Sequence, residues 1–253
     1  MEEGKLTVTK VNGNPNFRHV TVEETSYVRL LFYGGAKLSS HNSAFYFASL
    51  NVQKDYKNDG DIKHIKIETA KQIVDTINNQ KESSIQSIDF FSHGDMLGLY
   101  FIKGSDINKN ITQEDVKNNK LNSSLYLGSA TRFVMGSNVG EDSRTISEID
   151  FSRFSKICKI EIHGCLTARD MYVKDNICEE LSELLYDEGK TDSIVIGHTE
   201  KANPNIKGSS TKNSEQDYRH GERLVFNNGK VILTTKKTGR ITASEITNAL
   251  KNK

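Results

Sequence analysis

"IDFFSHG", Ile88–Gly94, and "IEIHGC", Ile160–Cys165, are two apolar, β-prone runs that each reach a His-Gly step. Branched and aromatic residues in runs of this length read as buried strands. In a parallel α/β sheet the carboxyl ends of the strands border one crevice, so side chains far apart in the chain can meet there. The two runs therefore aim His93 and Cys165 at one place.

Outward from these runs, strands and helices alternate. "YVRLLFYGG", Tyr27–Gly35, reads as a buried strand closed by two glycines. Ile67, Ala70, Ile73, Val74 and Ile77 follow helical spacing, which predicts an amphipathic helix leading into the Ile88 strand. Strand, helix, strand is the parallel crossover unit. "LGLYFIK", Leu97–Lys103, reads as a short hairpin partner, and Thr112–Asp115 as a capping box that starts one short helix. The second half repeats the logic. "KICKIEIHG" is a strand, "NICEELSELL" (Asn176–Leu185) a helix with Ile177, Leu181, Leu184 and Leu185 on one face, and "DSIVIGH" (Asp192–His198) the next strand. Residues 199–218 are rich in Gly, Ser and Asn and predict an exposed, mobile loop. "RLVFNNGKVILTTKK" is a hairpin turning at Asn228-Gly229, and a second capping box, Thr242–Glu245, opens a closing helix. The expected architecture is α/β: a mostly parallel central sheet flanked by helices, with a C-terminal β-hairpin. Residues 27–253 read as one domain and residues 1–26 as a peripheral N-terminal segment.

A chain of 253 residues with 35% hydrophobic content can bury one sizeable core. Its 34 Lys and Arg balance 33 Asp and Glu, a net charge of +1, so no global field would hold it on nucleic acid or an anionic membrane. The opening "MEEGKLTVTK" has no signal-peptide character, and no apolar run approaches the roughly 18 residues of a spanning helix. Three cysteines, Cys158, Cys165 and Cys178, without CxxC spacing suit neither a disulfide framework nor a structural zinc site. A reduced compartment, the cytoplasm, is the expectation, with a domain of a larger, secreted protein as the alternative. Cys158 reads as a small core residue.

Cys165, at the step out of a strand, gains from nearby backbone N–H groups that favour thiolate, which makes it a candidate nucleophile with His93 as general acid and base. Gly94 and Gly164 let the backbone bend so that the N–H groups of Gly94 and Cys165 can form an oxyanion hole. His163 reads as structural: alternation with Ile160 and Ile162 turns it to the opposite face near the strand's end. His198 and His220 read as surface or supporting groups. A zinc site from His93, His163, Cys165 and His198 lacks any recognised ligand spacing, so neither metal nor cofactor is expected.

A strand ending in His-Gly ("SIDFFSHG"), followed much later by a strand ending in a small residue and Cys ("CKIEIHGC"), resembles the caspase-like superfamily of cysteine peptidases. That group spans caspases, gingipains, clostripain, legumain and the self-processing domains of bacterial toxins. "DSIVIGHTE" and "HGERLVFNNGKVI" are similar to the strand and terminal hairpin that follow. The chain departs from the caspases proper, which carry Gln-Ala-Cys where this sequence has His163-Gly164-Cys165. The resemblance implies a caspase-like three-layer sandwich and a thiol endopeptidase acting on peptide or protein substrates, self-processing among its activities, with His93 and Cys165 as the dyad. It also implies a first substrate pocket shaped after the next strand, at Thr199 and Glu200, where Glu200 would select a basic side chain; from the residues alone Glu200 reads as a solvated loop glutamate. The Lys236, Lys237 and Arg240 cluster lies where toxin-type relatives bind an inositol phosphate; here it reads as a solvated basic edge. Two alternatives remain open: an inactive domain of this fold serving as an interaction scaffold, and an acyltransferase using the same dyad.

Overall fold

A computed structural model describes residues 26–57, 59–130, 140–170 and 176–253. The expected N-terminal segment, except Ser26, lies outside the described residues. Seven strands form one sheet: β1 (Val28–Gly34), β2 (Asp61–Ile67), β3 (Ile85–Phe91), β8 (Phe154–Ile162), β9 (Ile194–His198), β10 (Arg223–Asn227) and β11 (Lys230–Thr235), in the order β11-β10-β9-β8-β3-β1-β2. From β9 to β2 every neighbouring pair is parallel; β10 runs antiparallel to β9 and β11. A small second sheet holds β4 (His93–Asp95), β5 (Gly98–Ile102), β6 (Asn122–Tyr126) and β7 (Arg144–Thr145).

Alternation along the central strands gives the sheet two apolar faces. Leu30, Phe32, Ile88, Phe90, Ile160, Ile162 and Val195 pack under α2 (Ala70–Asn78) and α4 (Ile177–Asp187). The opposite face puts Leu31 and Phe91 under Phe45, Ala48 and Val52 of α1 (Ser39–Asp55), and Ile194, Ile196 and Val225 under α5 (Ala243–Lys251). Helices thus cover both faces, compatible with a three-layer sandwich. Burial of whole Leu, Ile and Phe side chains contributes about 1.5–3 kcal/mol each and holds the layers together.

The two expected capping boxes, at Thr112 and Thr242, form, and Thr69 and Asn176 supply two more. Thr69, Thr112, Asn176 and Thr242 each accept from the first turn of their helix and receive a side chain in return, Thr112 at the start of α3 (Gln113–Asn118). The Asn228-Gly229 turn has φ of 51° and 67°, the left-handed pair that a two-residue hairpin needs.

Three expectations need correction. Ile67 ends β2, and the helix begins at Ala70. The path from β1 to β3 is two crossovers rather than one, because α1 and β2 intervene. The double glycine has its reason here: Gly34 and Gly35 have φ of 126° and 78°, and a Cβ on them would sit 2.7 Å from the Ile67 carbonyl oxygen and 2.6 Å from Phe101. Residues 199–218, expected as a loose loop, fold through two 3₁₀ turns, and Asn51 of α1 donates to the carbonyls of Ser214 and Gln216.

Candidate functional site

The parallel register of β3 and β8 pairs Ile88 with Ile160, Asp89 with Glu161 and Phe90 with Ile162. The same offset carries Phe91 to His163 and His93 to Cys165. The backbones stay together past the last paired residues: His163 N–H donates to the Phe90 carbonyl at 2.9 Å. A Cβ on Gly164 would lie 3.3 Å from the Ser92 carbonyl oxygen and 3.4 Å from the Gly94 Cα. At Ser92 the chain leaves the central sheet and enters the small one through β4, so His93 stands at the branch point.

His93 is half-buried. Its Nε2 lies 3.0 Å from Nδ1 of His41, in the first turns of α1, and the edge of Phe45 packs on its ring at a centroid distance of 5.3 Å. Burial, with His41 beside it, lowers the imidazole to about 4, so His93 is neutral at pH 7. Cys165 is partly exposed, with its Sγ 3.8 Å from the Ala202 carbonyl oxygen. The Cys165 N–H has no hydrogen-bond partner among the described residues. Tyr218 closes the same corner: its ring is 5.8 Å from Phe45, and burial together with Cys165 raises its hydroxyl well above the ordinary range. His93 and Cys165 are neighbours through their backbones, yet no hydrogen bond joins them. Leu166, next in the chain, has φ of 59°, a left-handed turn that bends the backbone away from the strand directly after the sulfur.

His163 is fully buried, with Nε2 3.2 Å from Asp89 Oδ1 and its ring stacked on Phe91 at 4.2 Å. Alternation separates it from Ile162 but leaves it on the face to which Cys165 belongs; Asp89 is what engages it instead of the thiol. Around it lies a buried charge network. Lys159 Nζ bridges Asp89 at 3.0 Å and Glu161 at 2.8 Å, Arg223 donates to Glu161 at 2.9 Å, and the Tyr56 hydroxyl donates to Asp89 at 2.9 Å. Burial would raise both carboxyls, but Lys159, with His163 beside both and Arg223 beside Glu161, outweighs it and holds them low. Burial with the neighbouring Asp89 pushes the Tyr56 hydroxyl up to about 12. Asp89, Glu161 and His163 converge as metal ligands would. The Lys159 ammonium already supplies the positive charge between the two carboxylates.

His198 is buried rather than at the surface: desolvation lowers it to about 3, and its Nε2 has no hydrogen-bond partner among the described residues. Thr199 and Glu200 do lie beside the Cys165 turn. The Leu166 N–H donates to the Glu200 carbonyl at 3.0 Å, and Thr199 donates to Glu222 at 3.0 Å. With Arg169, Lys201 and Glu222 they line an open pocket of about 470 Å³.

Sequence reasoning missed His41 and Glu222. The signal for His41 was faint: a lone His in "SSHNSAFYF" within a segment whose helix was itself not anticipated. No helix among the described residues is long and apolar enough to cross a membrane. No protein-family model matches the chain, and no curated protein matches its sequence.

Proposed function

We propose that the chain is a caspase-like cysteine endopeptidase. The observation that carries this reading is the shared register of β3 and β8, which makes the His93-Gly94 and Gly164-Cys165 steps backbone neighbours at one sheet end. The peptide substrate displaces the Ala202 carbonyl from the sulfur. As Sγ of Cys165 adds to the peptide carbonyl carbon, neutral His93 takes the thiol proton. The N–H groups of Gly94 and Cys165 hold the oxyanion. Collapse breaks the C–N bond, His93 returns the proton to the leaving amine, and a thioester remains. Water, deprotonated by His93, then hydrolyses it. Glu200 and Thr199 form the first substrate pocket, with Glu200 favouring a basic side chain. Lys201, Lys207 and Lys212 make the 199–218 loop a candidate for self-processing.

An inactive scaffold of the same fold is the second reading; the missing His93–Cys165 bond and the carbonyl over the sulfur favour it. One experiment separates them. Cleavage of a peptide library is expected from the wild type, to fall at least about 10³-fold in Cys165→Ala and His93→Ala, and to survive within tenfold in a folded His163→Asn. No cleavage by any form supports the scaffold. Cleavage that needs His163 and not His93 reverses the assignment.

A further inference from the structure

Resting on the reading of His93 as the base, we propose that His41 is a positioning residue. Its Nδ1 accepts a hydrogen bond from His93 Nε2–H, which fixes His93 in the tautomer whose bare Nδ1 is left for the thiol.

The two nitrogens are 3.0 Å apart, so one hydrogen lies between them. That leaves two arrangements. If His41 donated, the single proton of a neutral His93 would sit on Nδ1, the ring nitrogen left for Cys165, and the ring could not take the thiol proton. If His93 donates, its Nδ1 keeps a lone pair. The second arrangement also suits His41, which is exposed: its own proton then sits on Nε2, the ring nitrogen not engaged with His93.

The helix supplies the rigidity such a role needs. His41 and Phe45 are four residues apart on α1, hence on one face, and they meet the His93 ring from two directions, at centroid distances of 5.0 Å and 5.3 Å. α1 is itself pinned by Asn42, whose side chain accepts from Ala36 N–H and donates to the carbonyls of Ala36 and Asp106. Tyr100 stands opposite His93 across the β4–β5 pair. The Tyr100 hydroxyl is spent on Asp95 at 2.7 Å, so it does not compete for the ring. An acceptor behind the base fixes its orientation and tautomer.

The test reads the tautomer directly. With ¹⁵N-labelled histidine, and with seven histidines assigned by single variants, the His93 ring should show protonated Nε2 and bare Nδ1 in the wild type. His41→Ala should give mixed tautomers and lower kcat about 10- to 100-fold with KM within twofold, a size typical of misplaced proton transfer. His41→Asn, which restores an oxygen acceptor, should recover the tautomer and most of kcat. If His41→Ala leaves both the His93 tautomer and kcat unchanged while peptides are still cleaved, the positioning role is wrong and the peptidase reading stands. If no form cleaves peptide but the tautomer still follows residue 41, the peptidase reading is wrong and the hydrogen-bond assignment stands.

Discussion

Asp89 and Glu161, paired on β3 and β8, and His93 and Cys165, four residues further on and past the ends of both strands, form two levels built in opposite ways. At the lower level Asp89 and Glu161 are buried, and Lys159, Arg223, Tyr56 and His163 answer their oxygens. At the upper level His93 and Cys165 are partly exposed, make no bond to each other, and lean on His41 and the Ala202 carbonyl. A satisfied level fixes the alignment of two strands. An unsatisfied level above it leaves groups free to engage a third molecule. Rigidity below and openness above is what preorganisation asks of a scaffold.

The comparison breaks most visibly in thiol chemistry. Burial pushes Cys158 up to about 12 and raises Cys178 further. A pKa near 12 leaves a thiolate fraction of about 10⁻⁴ at pH 8. Iodoacetamide on the native protein should therefore label Cys165 at least about 10³-fold faster than either, read by peptide mass mapping. Comparable labelling of all three would mean that the upper level is no more open than the core.

Stability should show the reverse ranking. Glu161→Ala strips Arg223 of its carboxylate and Lys159 of one of two, in surroundings that exclude water, and should cost about 3–5 kcal/mol in denaturant unfolding. Cys165→Ala and His41→Ala, on the open side, should each change stability by less than about 1 kcal/mol. Equal losses from the two levels would erase the distinction.

What was legible in the sequence divides along the same line. Strong local signals announced their elements: the apolar runs of β3, β8 and β9, the Asn-Gly turn, and the Thr69-independent capping boxes at Thr112 and Thr242. The ends of β3 and β8 were enough to bring His93 and Cys165 to one edge. α1 was not legible, because Ser, Asn, Tyr and Phe are weak helix formers and its N-cap, Leu38, has no capping side chain. Tertiary contacts decide it, through Asn42 and the Phe45 to Val52 stripe on Leu31 and Phe91. β2, "DIKHIKI", hides its alternation behind lysines because it is an edge strand. With α1 unseen, His41 had no element to stand on. The charge network was equally hidden: Asp89 and Glu161 interrupt apolar runs, and only the register reveals that they face the same cations.

The last effect expected is with pH, and its sign follows from burial. Desolvation lowers His198 to about 3 and His93 and His64 to about 4, all below the ordinary value near 6.5. The unfolded chain therefore takes up protons first as pH falls, and stability drops from about pH 6.5 downward until the folded histidines titrate. The carboxylates held low, Asp89, Glu161 and Asp217, add their own loss only below about 4.5, so the window between belongs to the histidines. His198 dominates because it is the most buried of the three; His64 and His93, more open to solvent, contribute less. The urea midpoint should fall between pH 7 and pH 5 by the equivalent of roughly 1–2 kcal/mol, and His198→Gln should flatten that slope whatever it does to stability at pH 7. A midpoint as high at pH 5 as at pH 7 would mean that His198 reaches water, and that the level beneath the sheet end is wetter than its burial implies.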